Sequence, residues 1–232
     1  MKVLVIIPAF NEEESIENTV NELRETAPGY DYIVVNDCSD DETKNILRDK
    51  GINHLDLAVN LGIGGGVQTG YKYAFENGYD IAVQMDGDGQ HDPAYLSEII
   101  EPVISGEADL CIGSRFVEKK GYQSSFLRRF GIRFLSFIIR LVSGVRVTDA
   151  TSGFRACNKE LIRHYTKHYA QDYPEPEAIV SAALHGYKVK DKAVEMRDRQ
   201  GGRSSISAFK SVYYMLKVSV AILLYRFMIR EK

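Results

Sequence analysis

Apolar residues fall into two rhythms along the first half of the chain. Short continuous runs, Lys2–Ile7, Tyr32–Val35, Ile81–Met85 and Asp109–Ile112, read as buried strands, with a shorter one near His54–Leu57. Between them the spacing lengthens to that of helices. Asn11 is a candidate cap for an acid-rich helix through about Arg24, which Pro28-Gly29 breaks. Further helices are expected around Asp41–Lys50, over Val67–Glu76 after the Gly62–Gly66 run, and from Pro93 to about Ile104. Strands separated by helices imply βαβ units and a mostly parallel sheet. In such sheets, ligands bind beyond the carboxyl ends of the strands.

The second half reads differently. Residues 125–143 wind into a strongly amphipathic helix at about 100° per residue. Arg128, Arg129, Arg133, Arg140, Ser136 and Ser143 share one arc, and Phe130, Phe134, Phe137, Ile138 and Leu141 share another. Ordinary solvent faces carry both charge signs, and this one carries no acid. The pattern fits a helix lying in a membrane interface; the alternative is a helix packed on the core with its arginines in water. Val212–Ile229 is mostly apolar, but Lys217, Ser219 and Arg226 interrupt it, so it is too broken to span a bilayer. It is expected to lie on the membrane, pack on the domain, or dock on a partner.

Composition narrows the picture. The 232 residues are 44% hydrophobic and 26% charged, an ordinary globular mix. Net charge is −3, which argues against a nucleic-acid partner. The charge is uneven. Lys119, Lys120, Arg128, Arg129, Arg133, Arg140 and Arg146 follow one another with no intervening acid, which suggests a local anionic partner. Cys38, Cys111 and Cys157 are far apart and odd in number, so they read as small core residues in a reducing compartment. The short apolar start, followed at once by Pro8 and acids, reads as a first strand rather than a signal peptide.

The candidate chemistry sits at predicted strand ends. Asp86-Gly87-Asp88 with Gln90-His91 can hold a hard divalent cation such as Mg²⁺ or Mn²⁺, or can be a surface turn. Pro8–Glu13 and Asp37–Thr43 read as acid-rich helix entrances, or as acids that grip a nucleoside. Gly62–Gly66 lacks the lysine of a P-loop and reads as a loop near a nucleotide. Glu175 and Glu177 make a helix entrance with Pro176, or supply a general base. His54, His164, His168 and His185 show no ligand spacing.

Pro8…Asn11-Glu12-Glu13, Asn36-Asp37 through Thr43, Asn60-Leu61-Gly62 and Asp86-Gly87-Asp88-Gly89-Gln90-His91-Asp92-Pro93 resemble, in order and spacing, the inverting glycosyltransferases of family 2. Gly113-Ser114-Arg115, Asp149 through Arg155, and Asp198-Arg199…Gly202…Ser204 are similar to the dolichyl/polyprenyl-phosphate sugar synthase branch. Asn36 and Arg203 depart from that branch, which usually has an acid and a lysine there. The resemblance covers about residues 3–207. It implies a GT-A, Rossmann-like α/β domain over 1–207, with the amphipathic helix at the membrane side, followed by an apolar helix over 208–232.

Its implications for the site are specific. Pro8, Ala9, Asn11, Glu12, Asp37 and Gly62 would line the nucleotide-sugar pocket together with Asp86. Asp86, Asp88 and Gln90 would hold Mg²⁺ or Mn²⁺. Arg115, Thr151, Ser152, Arg199 and Ser204 would bind the acceptor phosphate. Asp86, Asp88, Arg115, Asp149 and Arg199 would form the catalytic set. The implied reaction moves a sugar, with a UDP-sugar favoured, to polyprenyl (undecaprenyl) phosphate at the cytoplasmic membrane face, for cell-surface polysaccharide. Transfer to a glycan hydroxyl and a non-catalytic nucleotide-sugar-binding scaffold are the alternatives. Implied partners are the donor, the lipid phosphate, the membrane surface, a small integral membrane protein and a second copy of the chain.

Overall fold

The computed structural model describes residues 1–118, 126–172, 174–198 and 208–230. The βαβ reading of the first half holds: β1 (Val3–Ala9), α1 (Ile16–Thr26), β2 (Asp31–Asn36), α2 (Thr43–Asp49), β3 (His54–Asp56), α3 (Gly62–Glu76), β4 (Ile81–Gln84), α4 (Leu96–Ile104) and β5 (Leu110–Ser114). After α5 (Phe126–Ser143) come β6 (Arg155–Asn158), α6 (Lys159–Tyr165), α7 (Pro174–Leu184), β7 (Val189–Ala193) and α8 (Ala208–Arg230). The sheet runs β3-β2-β1-β4-β6-β5-β7. β6 is antiparallel to both neighbours, and every other pairing is parallel.

Two apolar layers cover the sheet. Leu4, Ile6, Val35, Ala82 and Ile112 face α3, α6, α7 and the inner sides of α5 and α8. Val5, Ile7, Val34, Val83 and Met85 face α1 and α4. β1, buried along its whole length, contributes alternate residues to both, as a central parallel strand must.

Three expectations change. α1 begins at Ile16, with Ser15 at the position before it and making no side-chain cap, and Asn11 lies further upstream in left-handed backbone at φ 57°. The glycine run is the first turn and a half of α3 itself rather than a loop leading to it. The physical reason is close approach: a Cβ on Gly64 would lie 2.0 Å from the Ala170 carbonyl oxygen. Small residues here let the 170–171 backbone cross the helix, and Gly64 N–H donates to the Gln171 carbonyl at 3.1 Å. Lastly, Cys111 and Cys157 are buried as expected, but Cys38 is exposed.

α5 has three faces rather than two. Ile132, Leu135, Ile139 and Val142 are buried in the core. Arg133 and Arg140 are exposed on a second face. Phe130, Phe137 and Leu141 remain 61%, 61% and 65% exposed on the third. α8 packs against α5 and α7. Among the described residues, no helix is long and apolar enough to cross a membrane.

Candidate active site

β1, β2 and β4 run parallel and adjacent, so their carboxyl ends deliver three chain segments to one edge of the sheet. The Asp37 amide donates to the Ala9 carbonyl at 2.9 Å, continuing the β1–β2 ladder into the loops. The Asn11 carboxamide accepts from Asp40 N–H, and Asn11 N–H donates to Ser39 Oγ, both at 3.0 Å. Glu12 N–H donates to Thr43 Oγ1 at 2.9 Å, while the Glu12 carboxylate accepts from Ser15 Oγ. Two non-glycine residues in left-handed backbone, Asn11 and Cys38, sit in these facing loops. Such strain persists where surrounding contacts over-determine the backbone, and it concentrates at functional sites.

Asp37 is 4% exposed, and its Oδ1 accepts Leu61 N–H at 2.7 Å at the start of α3. Burial pushes its carboxyl upward, partly offset by the Leu61 and Gly62 amides. Gly62 N–H also donates to Asn60 Oδ1. The amides of Leu61, Gly62 and Gly64 at the start of α3 are thus engaged by Asp37, Asn60 and Gln171. Asn36 is buried. Its amide donates to Asp56 Oδ1 at 2.7 Å, and its carbonyl oxygen accepts from Ser39. An acid at position 36 could not donate to Asp56 without a proton.

The Asp86–Asp92 turn follows β4. Gly87 packs against Pro8: a Cβ there would lie 3.2 Å from the Pro8 carbonyl oxygen. Thr19 Oγ1 holds the Gly87 carbonyl from the α1 side. Asp88 is 2% exposed and accepts Gln90 N–H at 3.0 Å, while the Asp86 side chain keeps 34% exposure. Arg197 clasps this turn, with Nη1 on Glu22 and Nη2 on Asp92, both at 2.6 Å. Gln90 and Arg197 also bond through their backbones, and His91 pairs with Met196.

The 149–152 turn closes the site. Arg115 and Asp149 form a two-point buried pair: Nε to Oδ2 at 2.7 Å and Nη2 to Oδ1 at 2.8 Å, with Thr151 Oγ1 beside them. They are 5% and 0% exposed. The same turn presents Gly153, whose Cα faces the Asp86 carboxylate. A Cβ there would sit 2.8 Å from both oxygens. The expected residues are thus joined: Pro8 through Gly87 to Asp86, and Asp86 through Gly153 to Ser152 and the Arg115–Asp149 pair. Arg199 and Ser204 lie outside the described residues.

Three side chains that contact these turns, Gln84, Arg155 and Arg197, escaped the sequence reading, while the sequence marks His91 only by its place beside the Asp86–Asp88 pair. Gln84, fully buried, points its amide at Asp86. His91 accepts the Asp86 N–H. Arg155, fully buried at the start of β6, donates to the carbonyls of Ser152 and Glu175. Arg197 makes the clasp just described. His91 and Arg155 stand inside quoted motifs and Arg197 stands beside one, so adjacency was the available signal. Glu175 is at the entrance of α7 as expected. Burial pushes its carboxyl up, while Arg155, which also donates to the Glu175 backbone carbonyl, pulls it down.

The carboxylates of Asp86 and Asp88 suit a hard cation. Among the described residues no three His, Cys, Asp or Glu side chains make a complete metal site. A Mg²⁺ or Mn²⁺ ion held by two carboxylates would take its remaining ligands from water and substrate phosphate.

The sequence pattern that defines glycosyl transferase family 2 matches residues 4–166. An uncharacterized protein of Methanocaldococcus jannaschii is 32% identical over 93% of this chain and 91% of its own length. The UDP-N-acetylglucosamine–dolichyl-phosphate N-acetylglucosaminyltransferase of Methanococcus voltae is 37% identical, covering 69% of this chain and 71% of that protein. The undecaprenyl-phosphate mannosyltransferase of Micrococcus luteus is 36% identical, covering 70% of this chain and 69% of that protein. In fold, the chain is similar to glucosyl-3-phosphoglycerate synthase from Mycobacterium tuberculosis in complex with Mn²⁺, uridine diphosphate and phosphoglyceric acid. The TM-score is 0.74 at 21% identity, covering 97% of this chain and 78% of that one.

Proposed function

This chain belongs to glycosyl transferase family 2 and is related to the polyprenyl-phosphate sugar synthases, and we propose that it transfers a sugar from a uridine diphosphate sugar to a polyprenyl phosphate at a membrane surface. The carrying observation is the junction of Asp37, the Asp86–Asp88 pair and the Arg115–Asp149 turn at one sheet edge, on a domain that also exposes an aromatic helix face. Asp37, between the ends of β1 and β2, takes the nucleoside. The donor diphosphate lies over the end of β4.

Asp86 and Asp88, with Gln90 beside them, would hold Mg²⁺ or Mn²⁺, and such a cation would supply positive charge to the departing diphosphate. An acceptor phosphate oxygen attacks the anomeric carbon from the face opposite the diphosphate. The carbon–oxygen bond to the diphosphate breaks, and the nucleoside diphosphate leaves with the electron pair. The acceptor is already anionic, so this chain needs no strong general base. Arg115, locked by Asp149, fixes the 149–152 turn so that Thr151 and Ser152 face the acceptor, and Arg199 and Ser204 bind its phosphate.

The exposed Phe130, Phe137 and Leu141 enter the interfacial region of the bilayer, and Arg133 and Arg140 meet anionic headgroups. The enzyme is then a peripheral protein of the cytoplasmic face. Asp88→Asn tests the catalytic reading. Nucleoside diphosphate release is expected to stop while far-UV circular dichroism and melting stay near wild type. Turnover retained within about threefold overturns it. A glycan hydroxyl acceptor would instead need a base, and Glu175, its carboxyl raised by burial, is the residue this reading would use.

A further inference from the structure

Gln84 is a fully buried amide inside the apolar strand β4. Such a group costs free energy unless its hydrogen bonds are made. Its Oε1 faces the Tyr169 hydroxyl at 3.4 Å. The Asp86 carboxylate only accepts, so it takes the Nε2 end of the amide and leaves Oε1 to the Tyr169 hydroxyl. The Nε2 end then donates to Asp86 Oδ1 at 3.2 Å. On the other side, His91 Nδ1 accepts Asp86 N–H at 3.0 Å, which puts the ring proton of the neutral imidazole on Nε2. That Nε2 lies 3.9 Å from Asp86 Oδ2. The His91 ring is 5% exposed and stacks on Phe154, with centroids 5.0 Å apart and planes at 14°. Its backbone is paired with Met196. Gly153 closes the third side, where a Cβ would sit 2.8 Å from both carboxylate oxygens.

We infer that Gln84 and His91 are positioning residues that fix the plane of the Asp86 carboxylate for a divalent cation. The inference rests on the proposed reading that Asp86 and Asp88 hold the cation. Gln84 holds the carboxylate at Oδ1 and His91 holds the Asp86 backbone N–H, and together they limit rotation of a side chain that keeps 34% exposure. Mg²⁺ and Mn²⁺ tolerate little error in ligand geometry, and residues that orient a metal ligand typically change affinity by about 10–100-fold when removed.

The test is Mn²⁺ binding to the full chain, read by electron paramagnetic resonance with and without uridine diphosphate. Gln84→Met keeps the volume and removes the amide. His91→Gln removes the acceptor for Asp86 N–H, while His91→Asn keeps an acceptor near the Nδ1 position. The expected result is Mn²⁺ affinity weakened about tenfold or more in Gln84→Met and His91→Gln, with His91→Asn within about threefold of wild type. A merely structural role would lower the melting temperature of all three and leave the Mn²⁺ affinity of the folded fraction unchanged. Affinities within about twofold of wild type in both Gln84→Met and His91→Gln overturn the inference. If Gln84→Met does not fold, the two His91 variants decide it. A wild-type protein that binds no Mn²⁺ overturns the cation reading itself, and this inference with it.

Discussion

Replacing Arg115 by methionine is expected to cost about 3–5 kcal/mol of folding stability, the penalty for leaving a buried charge without its partner. Asp149 is 0% exposed, and Arg115 supplies its two shortest hydrogen bonds, at 2.7 and 2.8 Å. Among the described residues, the other donors to Asp149 are weak by geometry: Arg115 N–H at 3.4 Å and the Thr151 hydroxyl at 3.3 Å. Neither replaces a two-point guanidinium. Methionine fills the stem of the arginine, so the loss is electrostatic rather than a cavity. The chain has no tryptophan, so urea unfolding is best followed by far-UV circular dichroism. With a slope near 3 kcal/mol/M, the midpoint falls by about 1 M or more. Adding Asp149→Leu removes the orphaned charge and is expected to return most of the loss, giving a large coupling energy in the double-mutant cycle. Arg115→Met within about 1 kcal/mol of wild type would refute the reasoning. Loss of turnover with stability intact would instead make Arg115 a direct anion contact.

Three more expectations follow from single contacts. Gly64→Ala drives a methyl into the Ala170 and Gln171 carbonyls, which are backbone and cannot rotate away, so destabilisation of about 1–3 kcal/mol or more is expected in the same assay. Asn36→Asp sets two carboxylates at the 2.7 Å contact now made by an amide. One must hold a proton, so stability falls as pH rises through the raised pKa, and the variant should lose more against wild type at pH 7.5 than at pH 5. His164 is pushed down to about 4 by burial and by the neighbouring His185 and His168. Its contribution is complete above about 6.5 and is lost as pH falls from there toward 4, because the unfolded chain takes up the proton first. His164→Gln should flatten that part of the stability profile; an unchanged slope would contradict the assignment.

The strands of the first half other than β3 were legible because each is built on a continuous apolar run, and strand ends named the edge where carboxylates gather. The rest was hidden for definite reasons. β7, Val-Lys-Asp-Lys-Ala, is an edge strand with three charged residues and no apolar run. β6 is four residues long and is stabilised by pairing to strands on both sides rather than by its own pattern. Asn11 looked like a helix cap because its neighbours are acidic, but its partners, Ser39 and Asp40, come from the next loop. His164, His168 and His185 have no ligand spacing in sequence, yet α6 and α7 bring their rings within 4.4–6.4 Å of one another. Gln84 is ordinary in the sequence. Its partner Tyr169 lies 85 positions away, and only the fold shows why a buried strand carries an amide.

The central claim is transfer of a sugar to a lipid phosphate. The direct measurement incubates the protein with Mn²⁺, vesicles containing polyprenyl phosphate, and labelled nucleotide sugars supplied one at a time, then counts label in the organic extract. The account predicts lipid-borne label with a uridine diphosphate sugar, abolished by EDTA and by Asp88→Asn. Nucleoside diphosphate release with glycan acceptors, and no label in lipid with any donor, would contradict it.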